Sequence, residues 1–305
     1  MSYKPDVCYF HRNCADGFGA AYSIWTKWPD IEFVPLAHGD PISASQYVGK
    51  HVIFVDFSLK ANAMRDLGIS AKSVVILDHH KSAELELESF AKFDGSIEDL
   101  EALMVYWSKD SSFLNVYVHF DMLHSGAVLA WNFANPGTPA PIGLLYIEDR
   151  DLWNWNLEGS KAFGLALESE IWDFEHWDMW VLNPGDAQKL VEVGESIISY
   201  QAKLIKQITS NAKMGELPMP TDDGTKRVAK NVVFCNTAVL QSEVGNALLQ
   251  QFIEADFAAV WYITADGDTR YSLRSEEGRA DVSVIAAEHG GGGHRNAAGF
   301  TVAGD

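Results

Sequence analysis

Three short apolar runs in the first eighty residues constrain the fold of this chain most. Each ends on an ionisable side chain, and the first two lead into helix-periodic stretches. They lie before His11, before Asp56 and before Asp78. Continuous apolar runs of this length, rich in β-branched and aromatic residues, mark strands buried on both faces, as in parallel sheets covered by helices. Strands are predicted over Asp6–Phe10, His51–Asp56 and Ser73–Asp78, with helices from about Phe18 to Lys27 and around Ala61–Leu67. Alternation of this kind predicts an α/β fold with a mainly parallel sheet. Open α/β sheets bind ligands at the carboxyl ends of their strands, where His11, Asp56 and Asp78 fall.

Further along, Leu100–Trp107 and Asn115–Phe120 are open to a strand reading, and Ser125–Phe133 and Ile142–Asp149 read as helices. Trp153, Trp155, Trp172, Trp177 and Trp180 crowd one segment, and such clusters are more often packing than stacking platforms. Leu190, Val193, Ile197, Ile198, Leu204, Ile205 and Ile208 recur at helical spacing, predicting a long connecting helix over residues 186–213. Met214–Gly224, with Pro218, Pro220 and Gly224, reads as a linker. A second α/β unit follows: a strand over Val228–Cys235, a helix over Ser242–Phe252, and a hairpin of Phe257–Thr264 with Thr269–Arg274. A helix over Asp281–His289, four glycines and a strand near Phe300–Val302 complete it. The expected organisation is a larger domain over 1–185, the helix over 186–213 and a smaller domain over 214–305.

With 305 residues the chain has room for two cores. Its 23 Lys and Arg against 42 Asp and Glu give a net charge of −19. Long duplex nucleic acid is an unsuitable partner, because affinity for it comes largely from cations on phosphates. No stretch is apolar enough to span a bilayer and no secretory pattern is visible at the start, so no membrane partner is expected and a cytoplasmic location is. Cys8, Cys14 and Cys235 are too few and scattered for a disulfide framework.

Four clusters carry chemistry: His11 to Ala21 with Asp16 and Gly17, then Asp56, then Asp78, His79 and His80, then Asp149. Mixed carboxylates and imidazoles suit Mn2+, Mg2+, Zn2+ or Fe2+, with carboxylate-rich sets tending to Mn2+ or Mg2+. Each alone has a bland reading, since an aspartate at a strand end is commonly a turn former or cap. Gly290 to Gly293 lie between a patterned helix and an apolar strand, which favours a built anion-binding turn over a flexible linker.

Asp78, His79 and His80 after an apolar strand, with the other clusters in order, resemble the DHH phosphoesterase family. Arg274 and the segment Gly290–Phe300 resemble its associated glycine-rich C-terminal domain. The resemblance implies a mainly parallel-sheet DHH domain and a metal-dependent phosphoesterase. One cation would be held by Asp16, Asp56, His79 and Asp149, and a second by His11 with Asp56 bridging. It further implies catalytic roles for Asp56, Asp78 and His80, with His80 on the substrate phosphate. Gly291, Gly292, Gly293, His294 and Arg274 would bind substrate. Where the family has a further aspartate this chain has Cys14. Cys14 is either a thiolate ligand favouring a softer ion or a buried, non-ligating thiol. Mn2+ is the expected cofactor at a two-metal site. Short RNA or a dinucleotide, cut to mononucleotides with either polarity, is the expected substrate, with Trp261 or Tyr271 as candidates to stack a base. Two alternatives stay open, an exopolyphosphatase and a non-catalytic nucleotide-binding protein. A homodimer is allowed for.

Overall fold

The structure is a computed structural model that describes residues 3–110, 113–220 and 227–304. Its contacts divide it into two compact units, one up to Ile198 and one from Ser199.

In the first unit, β1 (Val7–His11), β2 (Glu32–Leu36), β3 (His51–Val55), β4 (Ser73–Asp78), β5 (Ala91–Lys92) and β6 (Val116–Phe120) form one sheet in the order β2-β1-β3-β4-β6-β5. Every pairing in it is parallel. The helices are α1 (Ala15–Trp25), α2 (Ala61–Ser70), α3 (Lys81–Glu86), α4 (Ile97–Trp107), α5 (Gly126–Ala134), α6 (Ile142–Asp151), α7 (Ser160–Leu167) and α8 (Phe174–Leu182). Side chains alternate across the central strands. Cys8, Phe10, Ile53, Val55, Val75 and Leu77 enter one core, and Val7, Tyr9, Val52, Phe54, Val74 and Ile76 the other. This two-sided burial is what the unbroken apolar runs encode. Connections leave β1 toward β2 on one side, and the sheet continues through β3 on the other. The switch point, and with it the ligand crevice of such sheets, therefore lies at the carboxyl ends of β1 and β3.

The helix α9 (Pro184–Thr209) runs through the boundary between the units. In the second unit β7 (Lys213–Met219), β8 (Arg227–Asn236), β9 (Phe257–Ile263), β10 (Thr269–Arg274), β11 (Gly292–His294) and β12 (Ala297–Val302) form a sheet in the order β11-β12-β10-β9-β8-β7. Only β8 and β9 pair in parallel there; the other pairings are antiparallel. The helices α10 (Gln241–Gln251) and α11 (Val282–Glu288) belong to this unit. One core packs Phe257, Leu273 and Val282, and another Val233, Leu248 and Val260.

Several expectations need correction. Leu100–Trp107 is helical: Ser96 caps α4 by accepting from the Asp99 N–H at 3.1 Å, and Glu98 and Asp99 favour its positive end. Met214–Met219 belongs to strand β7 rather than a linker, and Gly224 lies outside the described residues. The prolines misled because Pro218 sits on an edge strand, where a missing N–H is tolerated. Strand β2, unforeseen from sequence, likewise carries a proline, Pro35, at the edge of its sheet. Trp172, Trp177 and Trp180 do pack on the first core, whereas Trp153 and Trp155 are exposed. Among the described residues no helix is long and apolar enough to cross a membrane.

Candidate metal centre

Of the ionisable residues singled out in the first unit, His11, Asp16, Asp56, Asp78, His79 and His80 gather at the ends of β1, β3 and β4. After His11 the chain turns through Asn13, whose φ is 57°, and Asp16 falls in the first turn of α1. Gly17 has to lack a side chain, because a Cβ there would stand 2.4 Å from the His11 carbonyl oxygen. Asp56 follows β3 with φ 51°, a left-handed conformation that an aspartate tolerates but that needs support from its surroundings. Its N–H donates to the Leu77 carbonyl at 3.0 Å. Asp78 closes β4, and its Oδ1 accepts from the N–H groups of His79 (2.7 Å) and His80 (3.1 Å) and lies 2.7 Å from His80 Nδ1. Asp78 thereby fixes the turn and orients the His80 ring.

Asp16 is held from the opposite side. Gly126 and Ala127, at the start of α5, donate their N–H groups to its two oxygens at 2.7 and 2.9 Å, so a helix N-terminus faces the carboxylate. Gly126 is a residue that sequence reasoning missed. A Cβ on it would meet Asp56 Cβ at 2.4 Å and Asp16 Oδ2 at 2.9 Å. The signal available was Ser125-Gly126 at a helix start, which is common and unspecific.

His79 Nε2 sits among three carboxylates: Asp56 Oδ1 at 3.1 Å, Asp16 Oδ2 at 3.5 Å and Asp151 Oδ2 at 3.6 Å. Burial pulls the His79 pKa down, but the bond to Asp56 and the charges of Asp16 and Asp151 outweigh it and carry it up to about 9. Burial, then the Asp56 and Asp151 charges, push the Asp16 carboxyl well above the usual range. Asp151 is raised, chiefly by burial. Burial also acts upward on Asp56, yet His11, His79 and His80 more than offset it and its net shift is downward. Without a metal, then, one imidazolium stands in for positive charge that three crowded acids require.

Three sets of donor atoms lie within 4.8 Å of one another: His11, Cys14 and Asp56; Asp56, His79 and His80; Asp16, His79 and Asp151. Asp56 belongs to two of them. Its Oδ2 is buried with no hydrogen-bond donor, and His11 Nδ1 is 3.7 Å away. A buried carboxylate oxygen without a donor is costly unless a cation meets it. The donor set and the orphan oxygen together fit divalent cations. Cys14 lies in the set opposite His11, and burial and then the Asp56 charge push its thiol up to about 12. It is protonated at neutral pH unless a metal displaces the proton. A cavity of about 70 Å³ adjoins the centre, lined by His11, Asp56, Phe57, Asp78, His80 and the unforeseen His38, whose ring stacks on Phe57 at 5.0 Å.

Asp149 is not among these donors, and the expectation for it is corrected to Asp151. Two residues apart on α6, the pair cannot face the same way. The buried Asp149 instead accepts from Asn156 N–H (2.7 Å), Leu157 N–H (3.2 Å) and Ser160 Oγ–H (2.5 Å). Burial would raise its carboxyl, and those hydrogen bonds overcome it and hold it below the usual range.

In the second unit, Arg274 donates to the Leu273 carbonyl (2.8 Å) and to Ser242 Oγ (2.6 Å), and its stem packs where a Cβ on Gly245 would stand. Gly291, Gly292, Gly293 and His294 are exposed. The Gly291 N–H is already donated to the Ala286 carbonyl at 2.8 Å, so an anion-binding role for that amide is withdrawn. Gly292–His294 form β11, an edge strand, which leaves backbone groups facing away from the sheet. Tyr271 is spent on packing, stacked on Phe300 at 4.7 Å, while Trp261 is half-buried on β9.

No family model matches the chain. It is 29% identical over 317 residues to the uncharacterized protein R106 of Acanthamoeba polyphaga mimivirus, a span of 99% of this chain and 68% of that protein. Solved structures similar to it include exonuclease RecJ bound to manganese, at TM-score 0.46 and 13% identity over 97% of this chain and 85% of that one. A pGpG-specific phosphodiesterase, PggH from Vibrio cholerae, matches at TM-score 0.44 and 11% identity over 98% and 94%. An uncharacterized protein from Helicobacter pylori G27 matches at TM-score 0.41 and 15% identity over 98% and 93%.

Proposed function

We propose that this chain is a divalent-metal-dependent phosphoester hydrolase of the DHH type, acting on short oligonucleotides or dinucleotides. The observation that carries the reading is the meeting of Asp16, Asp56, His79 and Asp151 around an unpartnered, buried Asp56 oxygen at the sheet's switch point. The motif Asp78-His79-His80 gives the phosphoester class, by resemblance. Mn2+ is the preferred cation for a carboxylate-rich set. Two such ions, when bound, lower the pKa of a water nucleophile and neutralise charge developing on the phosphoryl oxygens.

The chain's own residues divide the remaining work. Asp56, present in two donor sets, is the carboxylate that would serve both cations. His11 and Cys14 complete one of its sets and His79 and His80 the other, while Asp16 and Asp151 make a third set that shares His79. His80 is half-exposed and held through Nδ1 by Asp78, so its other ring nitrogen is free to meet a substrate phosphate. Within the second unit, Arg274, the open edge of β11 at Gly292 and Gly293, and His294 would supply an anion-binding element suited to a small phosphorylated substrate. The net charge of −19 disfavours long polyanions, polyphosphate included.

The test is direct. Purified protein is incubated with Mn2+ and, in parallel, with a dinucleotide, polyphosphate and a chromogenic phosphodiester. Mononucleotide release that stops on chelation is the expected result. Orthophosphate from polyphosphate with an inert dinucleotide would replace the substrate, and silence from every substrate in a metal-loaded protein would end the hydrolase reading.

A further inference from the structure

In the turn after Asp151 two tryptophans present apolar surface to solvent. Trp153 is 76% and Trp155 42% exposed, and both hold left-handed backbone, with φ of 56° and 53°. Bulky residues adopt that conformation only where their surroundings impose it. The imposing group is Asp149. Its backbone carbonyl accepts the Asn154 N–H at 3.0 Å, and its carboxylate accepts from Asn156, Leu157 and Ser160. The Trp153 N–H is bound in turn to the Arg150 carbonyl at 3.1 Å. The two rings meet edge to face, with centroids 5.5 Å apart, so they brace each other while much of their surface stays exposed. Asp151, two residues before Trp153, reaches the metal centre, which keeps the Trp153 Cα within roughly 8 Å of the Asp151 Cα.

We infer that Trp153 and Trp155 form a stacking platform for a nucleobase of the substrate whose phosphate lies at the metal centre. A nucleotide carries a flat π-face a few bonds from its phosphate, and exposed aromatics beside a phosphate site are the usual means of gripping it without reading its sequence. Polyphosphate has no such group. Asp149 is then a positioning residue, acting through the loop it holds. The inference rests on the hydrolase reading for its phosphate site but on separate residues for its base site.

The experiment compares a dinucleotide with the same diester lacking its bases, in wild type and in Trp153→Ala, Trp155→Ala and the double variant, with Trp153→Phe as the conservative control. The preference for the base-bearing diester, as a ratio of kcat/KM, is expected to fall roughly tenfold in the double variant, through KM more than kcat, and to be kept largely by Trp153→Phe. Dinucleotide binding without turnover is read on Asp56→Asn by quenching of tryptophan emission, which the added double substitution should abolish. Trp153→Gly removes the ring and suits the left-handed backbone, so it should keep or raise Tm while weakening binding. Unchanged base preference in an active double variant overturns the platform and leaves the hydrolase reading intact. Quenching that depends on the two rings, in a protein that hydrolyses nothing, overturns the hydrolase reading and leaves the platform. Loss of self-association with no change in KM also overturns the platform, by assigning the rings to a second copy.

Discussion

The two units make their candidate sites from opposite materials. At the end of the parallel sheet the groups are mutually repelling side chains, the buried Asp16 and Asp56 and the half-buried Asp151, around His79. At the edge of the second sheet they are backbone and exposed side chains: Gly292, Gly293 and His294. The first arrangement stores electrostatic energy that a cation releases, so it is sensitive to one carboxylate or one methyl group. The second has little to lose from a neutral change at its surface. Substitutions should therefore act steeply in the first unit and shallowly in the second.

The sharpest way to break that contrast is Asp56→Ala. Removing the residue shared by two donor sets should lower kcat by about a thousandfold or more, in line with losing a metal ligand rather than a hydrogen bond. The metal-free variant should be somewhat less stable than wild type, because the favourable contacts of Asp56 with the histidines are lost and Ala tolerates a φ of 51° less well than Asp. Substantial turnover by a folded Asp56→Ala protein would remove the bridging carboxylate from the scheme. Next in size is Gly126→Ala. The added Cβ would overlap Asp56 Cβ at 2.4 Å, and relief requires the ligand or α5 to shift. Metal affinity measured by titration calorimetry should fall roughly 10- to 100-fold, with a loss of about 1–3 kcal/mol in stability.

The pH dependence of the metal-free protein tests the stored repulsion itself. His79 binds its proton more tightly when folded, with its pKa carried from the usual 6.5 to about 9. Its stabilising contribution is complete below about pH 6.5 and is lost as pH rises through 9. The raised Asp16 and Asp151 carboxyls act in the same direction, since the folded state holds their protons more tightly and loses stability as they ionise. Stability in chelator should fall between pH 6.5 and 9 by about 2 kcal/mol, with Tm falling alongside it. Mn2+ should flatten the curve, because ligand deprotonation is then driven by the metal, and its affinity should rise over the same interval. A Tm in chelator that is level across that interval would show that the acids are not crowded as the distances indicate.

The same contrast explains what could be read from sequence. Strand ends bearing Asp56 and Asp78 are legible because a buried parallel strand leaves an unbroken apolar run, and its last residue has to face the crevice. The choice between Asp149 and Asp151 is not legible. Both are acids near the end of one helix, and only the packing of α6 determines which reaches His79 and which pins the following loop. Gly126 shows the same limit, since its need for no Cβ comes from residues 70 and 110 positions away. Periodicity alone could not separate helix α4 from a strand, although the capping pair Ser96 and Asp99 was there to be used. Trp153 and Trp155 read as core by composition, and their exposure follows from a backbone conformation that no local propensity favours.

In the second unit Arg274→Ala tests the cation on its own. The guanidinium is already engaged by Ser242 and the Leu273 carbonyl, so a stability loss of about 1 kcal/mol is expected. KM for a dinucleotide should rise roughly tenfold with kcat changed less, the pattern of a group that holds substrate rather than reacting. A fall in kcat with KM untouched would move Arg274 out of substrate binding.

The smallest effect expected separates glycines that shape the edge strand from glycines that leave it open. At Gly293 φ is 143° and a Cβ would stand 2.5 Å from the Ala297 carbonyl oxygen, so Gly293→Ala should destabilise by about 1–3 kcal/mol. At Gly292 nothing lies within 4 Å of the added Cβ and the backbone is ordinary, so Gly292→Ala should change stability by less than about 0.5 kcal/mol. If the edge backbone grips a phosphate, the methyl group at 292 should still raise KM about two- to fivefold, because it stands in the space the anion must enter. A Gly292→Ala protein with unaltered Tm and unaltered KM would mean that the edge strand touches no substrate, leaving Arg274 as the binding group to test in the second unit.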